Sequence, residues 1–296
     1  GSITQIGAYT GMARQLFHVT RLLPPFIGRE LREQYAGSLL GVLWSVLQPI
    51  LYILLYWWVF AAVMRTRFPE GSVLADTPFI VFLLSALLPW FAFQEGLNRA
   101  ASAILNRREM IRKVHFPVIV FPLAAAATAF MVQVGSYLLF LTVWALWRGR
   151  FSMNALGAVA VLLGLQFAVT AGLGLLLAAF TVYLRDTTQV LSLLLAVIFY
   201  TAPILYPLTL VPAEFHSLIR FNPLTAFAEG YHGAVLVGVW PEPLLLTGLI
   251  LLFCIAQIGP VLVLVPAVVW LFWTDQLGWG IALLVWSVGV AWLVPC

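Results

Sequence analysis

The chain has 296 residues, 63% apolar and 9% charged, with a net charge of +4 and a strongly positive mean hydropathy. Soluble domains carry roughly 25% charged residues, so most of this surface meets something other than water and the chain reads as an integral, multi-spanning membrane protein. Its basic residues sit where membrane topology puts them rather than along a phosphate groove, and its two cysteines, Cys254 and Cys296, lie in apolar surroundings that suit neither a disulfide framework nor a metal site.

In chain order, Gly1-Ser2 reads as the scar of a cleaved tag. No signal-peptide core is visible in the first 36 residues, which carry Arg14, Arg21, Arg29 and Arg32. Met12, Leu16, Val19 and Leu23 form an apolar stripe opposite Arg14, His18 and Arg21, the pattern of a helix lying in the membrane interface. Pro24-Pro25 is expected to end it. A second amphipathic piece then sets Ile27, Leu31 and Tyr35 on one face and an Arg29–Glu33 pair at i,i+4 on another. From Arg29 to Pro49 this charged run is expected to pass without a turn into the uncharged stretch Leu39–Met64.

Six spans are predicted: Leu39–Met64, Thr77 to about 104, Pro117–Trp147, Phe151–Leu184, Thr187–Tyr206 and a short Pro243–Gly259. Residues 1–36 form the interfacial region, 37–259 the transmembrane domain, and 260–296 an apolar tail of open topology. The connection 207–242 is too apolar for a free loop. Broken by Asn222-Pro223 and Gly233, it fits two short helices dipping back into the outer face and packed on their own spans. Lys and Arg in short loops divide nine to five in favour of an N-terminus inside, counting Arg107, Arg108, Arg112, Lys113 and Arg185 with the N-terminal arginines.

Several residues carry chemistry within this frame. Asn106 to Lys113 reads as a short polar helix, capped by Asn106 and stopped before Pro117. Its positive charge alone would anchor topology. Glu95 and Arg99, at i,i+4 in the second span, are either a self-satisfied pair or part of a gate. Aromatic side chains crowd the first, second and fifth spans. Interfacial belts explain many of them, and Tyr52, Tyr56, Trp90, Phe199 and Tyr200 are candidates for the lining of a path with few charges and many weak contacts. Asp186 stands at the start of the fifth span as an N-cap, and His115, His216 and His232 are too scattered for a metal site. No paired carboxylates or Ser/His/Asp arrangement suggests catalysis by this chain, and no G-x-x-x-x-G-K-[ST] loop provides for ATP hydrolysis.

Six motifs in order resemble a known family. They are Arg29-Glu30 with Tyr35, Ser38, Gly41, Trp44 and Pro49; Leu88-Pro89-Trp90-Phe91; Lys113-Val114-His115-Phe116-Pro117; Tyr183-Leu184-Arg185-Asp186; Ala202-Pro203-Ile204-Leu205-Tyr206-Pro207; and Asn222-Pro223. Over roughly residues 12–255 the chain resembles the type-2 ABC exporter permeases that move O-antigen, capsular polysaccharide or teichoic acid. The resemblance implies a homodimeric permease in the bacterial cytoplasmic membrane, N-terminus cytoplasmic, surrounded by membrane lipid and carrying a lipid-linked glycan. Two cytoplasmic ATP-binding subunits would hold ATP and Mg, and further envelope export components stay open. No nucleic acid is involved. It further implies a coupling helix near 105–115 with Arg107, Arg108, Glu109, Met110, Arg112 and Lys113. A cytoplasmic entry would comprise Arg29, Glu30, Arg32, Tyr35, Trp44, Glu95 and Arg99. An outer gate would comprise Tyr206, Pro207, Asn222 and Pro223.

The chain departs from that family near its end. It stays apolar to Cys296, with Asp275 its only charge after Glu242, and the stretch 254–287 resembles part of the autoinducer-2 exporter-like permeases. A junction near residue 253 accounts for both. The competing readings are a type-2 ABC exporter of drugs or lipids, an ion-coupled secondary transporter and a membrane-embedded glycan-modifying enzyme. The second wants mid-membrane carboxylates, of which only Glu95 comes near, and the third wants clustered carboxylates or histidines.

Overall fold

The computed structural model describes residues 21–241, apart from 35, 69–74, 76, 114–116 and 149–152. Tyr35, His115, the predicted sixth span and the tail with its junction therefore lie outside the described residues, as do the side chains of Arg112, Lys113 and Pro223. Among the described residues every regular element is helical.

Residues 21–34 form α1. Contrary to expectation, Pro24-Pro25 does not end this helix. The two prolines remove only their own donors, and every residue from Phe26 to Gln34 still has an N–H to bond. A second expectation also fails, because the chain does not run unbroken into the first span. It turns between α1 and residue 41, with Gly37 at φ +77° and Gly41 at φ +52°, a left-handed backbone that glycine adopts without steric cost.

α2 (Trp44–Trp57) follows, and its helical course continues as π turns over Trp58–Val63. The π segment is closed by Met64 N–H donating to the Val59 carbonyl at 2.8 Å and Thr66 N–H to the Phe60 carbonyl at 2.9 Å. α3 (Phe79–Asn106), α5 (Val120–Arg148) and α6 (Met153–Tyr183) are the three described helices long and apolar enough to cross a membrane. α4 (Arg108–Lys113) joins the first two of these. Pro49–Val63 and α7 (Thr187–Thr201) are shorter apolar helices. α7 ends before its predicted limit of Tyr206 because Ala202, held extended at ψ 145° ahead of Pro203, cannot continue it.

α3 is the central element. Of its most apolar 18-residue window 78% is buried, against 28% for α5 and 39% for α6. Close approach to α6 depends on two glycines. A Cβ at Gly96 would stand 2.7 Å from the Thr170 methyl, and one at Gly174 would stand 2.7 Å from the Ala100 methyl. Small residues serve helix contacts in membranes in this way, since lipid offers no hydrophobic drive and close packing must supply the attraction.

Pro89 sits inside α3 and lacks the N–H that would bond the carbonyl of Ser85. The buried Tyr137 hydroxyl of α5 donates to that carbonyl at 3.1 Å. The Pro89 carbonyl in turn accepts from Gln166 Nε2 of α6 at 2.6 Å, and Gln166 Oε1 accepts from the Tyr231 hydroxyl at 2.7 Å. A proline break inside an apolar bundle is thus repaired by neighbouring helices, as the absence of water there demands.

After α7 the chain forms two short helices, α8 (His216–Phe221) and α9 (Pro223–His232), the latter extended by π turns over Gly233–Val237. The expected pair of short helices is present. Asn222 fixes their junction: its Oδ1 accepts from Leu224 N–H at 3.0 Å, and its Nδ2 donates to the Ile198 carbonyl and Thr201 Oγ1, each at 2.9 Å. One side chain thereby caps α9 and ties it to the last turn of α7. His232 then lies flat on Phe82 of α3, ring centroids 3.8 Å apart and 8° from parallel. Its Nε2 donates to the Pro203 carbonyl at 3.1 Å and its Nδ1 meets Ser85 Oγ at 2.8 Å.

Candidate functional site

Two neighbouring regions of α1–α5 each bring several charged and polar side chains together. The first lies where α3 turns into α4. Asn106 is the last residue of α3 rather than a cap for α4, and Arg107 occupies the turn between them at φ −118°, ψ 17°. This backbone aims the Arg107 side chain back across the molecule. Its Nη2 bonds Glu30 and, at 2.7 Å, Glu33, both on α1. Its guanidinium also lies 5.9 Å from the centroid of Phe121, whose ring packs edge-on against Phe26 of α1 at 5.5 Å.

Arg107 is 16% exposed, much less than a surface anchor would be. Beside it Arg29 Nε holds Glu33 Oε1 at 2.6 Å. That bond, joined by the positive charge of Arg107, holds the Glu33 carboxyl below its ordinary range, against the opposing effect of partial burial.

The sequence-predicted coupling residues therefore divide. Arg107 faces inward, and Met110 packs with Ile111 and Val118 onto a small core of Ala103, Phe121 and Ala125. Arg108 and Glu109 are exposed. Arg32 is exposed as well, and so is Trp44, which lines neither of the two cavities described here. A cleft of about 650 Å³ runs between α1 and the α3–α4 turn, with Arg29, Glu30, Glu33, Arg99 and Arg107 on its walls.

The second region is a cavity of about 420 Å³ between α2, α3 and α5. Tyr52 and Tyr56, one helical turn apart on α2, share it with Phe91, Gln94, Glu95 and Arg99 of α3 and Gln133 of α5. Tyr52 and Phe91 lie 5.3 Å apart between ring centroids. Glu95 and Arg99 form the anticipated pair, Nε to Oε1 at 2.5 Å. Arg99 lines both cavities and so marks their meeting point.

The remaining aromatic candidates lie elsewhere. Trp90 is 5% exposed and packs between Phe93 and Phe199 at 5.9 and 5.3 Å. Tyr200 is well exposed, and its carbonyl accepts the Tyr206 hydroxyl at 2.9 Å. Both tyrosines border a surface hollow with Thr201, Leu210, Phe215 and Ile219. Pro207 is buried beneath the start of the hairpin. Asp186 takes the N-cap position of α7 but makes no side-chain cap bond, because its backbone is already helical at φ −71°, ψ −10°.

Sequence reasoning missed Gln94 and Gln133 in the cavity, as well as the Ser85–Tyr137–Gln166–Tyr231–His232 set in the core. The available signal was the presence of amides inside otherwise apolar runs, where an unpaired polar group is costly.

The model of the ABC-2 type transporter family matches residues 26–236. Among relatives, the O-antigen export system permease protein RfbA of Myxococcus xanthus is 34% identical over 228 residues, 74% of this chain and 82% of that protein. The polysialic acid transport protein KpsM of Escherichia coli is 26% identical over 232 residues, 78% of this chain and 88% of that protein. A shorter match, 44% over 66 residues, covers 22% of this chain and 18% of YdiK, a protein of Escherichia coli (strain K12) named for transport. A family match spanning all of α2–α9, together with a relative of this identity and coverage, places the chain as a member of the ABC-2 type transporter family.

Proposed function

We propose that this chain is the membrane subunit of an ATP-driven exporter of a lipid-linked polysaccharide, of the O-antigen, capsule or teichoic acid type. The observation that carries the reading is the 34% identity over 228 residues to an O-antigen export permease. In this account two copies build the pathway in the bacterial cytoplasmic membrane, with the N-terminus and α4 on the cytoplasmic side. Two ATP-binding subunits hold ATP and Mg and dock there. The spans number six, α2, α3, α5, α6 and α7 with one beyond residue 241.

Within that frame the divided coupling residues acquire separate tasks. Exposed Arg108 and Glu109 are the contact for the ATP-binding subunit, and Arg107 passes the resulting motion of α4 to α1. The α8–α9 hairpin re-enters the outer face, where Asn222 holds it to α7 and Tyr206 steadies the mouth. Aromatic faces on α2 and α7 give the glycan many weak contacts in place of one deep site.

The test is co-purification of the chain with candidate ATP-binding subunits, followed by ATP turnover with and without lipid-linked glycan. A stable complex whose turnover rises with glycan is expected. Absence of association, with transport driven instead by a proton gradient, would sink the reading. Stimulation by drugs or simple lipids and not by glycan would move the chain to another exporter class.

A further inference from the structure

We infer that a slot between the end of α5, the start of α6 and the π turns after α9 binds an acidic glycerophospholipid of the membrane. Its phosphate would sit on Arg148 and one acyl chain in the slot beneath, in the leaflet opposite α4. This goes beyond the function proposed above and does not depend on what the chain exports.

The slot has the polarity of a phospholipid. On α5 it is lined by Leu141, Trp144, Ala145 and Arg148, spaced i, i+3, i+4 and i+7 along one helical face. At 1.5 Å per residue it therefore runs about 10 Å along the helix, with a guanidinium at one end and Leu141 at the other. Val159 of α6 and Val235 of the π turns, both buried, add apolar walls. Its volume of about 250 Å³ is below the ~300–1,000 Å³ of sites that enclose a whole small molecule. It suits a segment of chain instead.

The charged end lies at a membrane surface. α5 has 29 residues, about 44 Å, and the hydrocarbon core is only ~30 Å thick. Arg148, its last residue and its only charged one, marks the end that leaves the hydrocarbon. Exposed Trp147 adjoins it, and exposed Trp240 stands 3.2 Å from where a Cβ on Gly157 of α6 would lie. Indole rings collect at this headgroup level.

Arg148 selects the headgroup. Its Nη1 donates to the Leu236 carbonyl at 2.8 Å, and its guanidinium lies 5.7 Å from the Trp144 ring centroid. These two contacts orient the plane and leave its Nε–Nη2 edge for a ligand. Among the described residues no carboxylate pairs with it, so an exposed positive charge stands over an apolar slot. The guanidinium fork takes two phosphodiester oxygens at once. A headgroup without an ammonium, such as glycerol, leaves that pair neutral, whereas ethanolamine would set a second positive charge beside Arg148.

The experiment is native mass spectrometry of the full chain in detergent, titrated with dioleoyl-phosphatidylglycerol or dioleoyl-phosphatidylethanolamine. The first phosphatidylglycerol is expected to bind roughly tenfold more tightly than the first phosphatidylethanolamine, and Arg148→Gln should remove that preference, the size of one charge-assisted hydrogen bond. Ala145→Leu fills the slot while keeping the charge. It should weaken both lipids, and it decides the matter if Arg148→Gln does not fold. Arg65→Gln, at an exposed arginine outside the slot, should change nothing.

Equal affinity for the two lipids, or phosphatidylglycerol binding that survives both slot variants, would overturn the site. An equal loss in Arg65→Gln would reduce it to general attraction between a cationic protein and an anion, and would also overturn it. Displacement of the bound lipid by millimolar sn-glycerol 1-phosphate would make the occupant a soluble phosphate. Preference for undecaprenyl phosphate over phosphatidylglycerol would make it a polyprenyl carrier. Either result contradicts the assignment to a glycerophospholipid.

Discussion

Arg107 and Glu33 stand 2.7 Å apart across 74 residues of sequence. With Glu30 and the Phe26–Phe121 contact, this bridge makes α1 and the α3–α4 turn one mechanical unit. Replacing Arg107 with Ala is expected to speed amide hydrogen exchange in residues 21–34 by roughly two- to tenfold, since the pair is only partly buried and water screens much of its attraction. Arg108→Ala should leave that exchange alone. If the two variants behave alike, Arg107 is a surface anchor and not a clamp.

The same bridge has a defined acid limit. Glu33 is held below its ordinary value of 4.5, chiefly by the hydrogen bond from Arg29. A carboxylate depressed in the folded state stabilises fully above its ordinary value and loses that contribution as pH falls through the lowered one. The Glu33 share of the tie between α1 and the α3–α4 turn should therefore persist at pH 4.5 and weaken only below it. A carbon-13 titration of the Glu33 carboxyl, in the wild type and in Arg29→Ala, checks this: the variant should titrate higher. A wild-type midpoint at or above 4.5 would contradict the geometry.

Tyr137 repairs the gap that Pro89 leaves in α3. Tyr137→Phe keeps the ring and orphans the Ser85 carbonyl, which should cost about 1–3 kcal/mol. Removing the hydroxyl of Tyr206, bound to the Tyr200 carbonyl in an exposed setting, should cost less than Tyr137→Phe. Denaturation in detergent, followed by near-ultraviolet dichroism, ranks the two variants.

The α3–α6 crossing admits no Cβ at position 96 while Thr170 keeps its methyl. Gly96→Ala should destabilise by about 1–3 kcal/mol, the range for overpacking a filled core. Adding Thr170→Ser removes the clashing methyl and should recover much of the loss. A double-mutant cycle showing simple additivity would refute the contact.

How much of this was legible in the sequence depended on what each feature needs to be visible. α3, α5 and α6 announce themselves as long uncharged runs, and their limits lie within three residues of the predicted ones at either end. The Glu95–Arg99 and Arg29–Glu33 pairs follow from helical spacing alone. The break at Gly37–Gly41 does not, because glycine is compatible with both a helix and a left-handed turn and the choice is made by the packing of α1. Nor could composition distinguish Arg107 from Arg108. Adjacent arginines differ here only because α1 brings Glu30 and Glu33 to one of them. The cavity was half legible: Tyr52 and Tyr56 share a face of α2, but Gln133 joins them from a helix 77 to 81 positions away, a juxtaposition only the fold creates.

The central claim is that this chain carries polysaccharide across a membrane at the expense of ATP hydrolysed by a partner. The direct measurement is ATP-dependent movement of a lipid-linked glycan in proteoliposomes holding the chain and its ATP-binding subunit. Glycan should become accessible to a glycosidase added on the far side only when both proteins and ATP are present, and Arg107→Ala should slow its appearance more than it slows ATP turnover. Glycan that crosses without the ATP-binding subunit, or that never crosses while ATP turns over normally, would contradict the account.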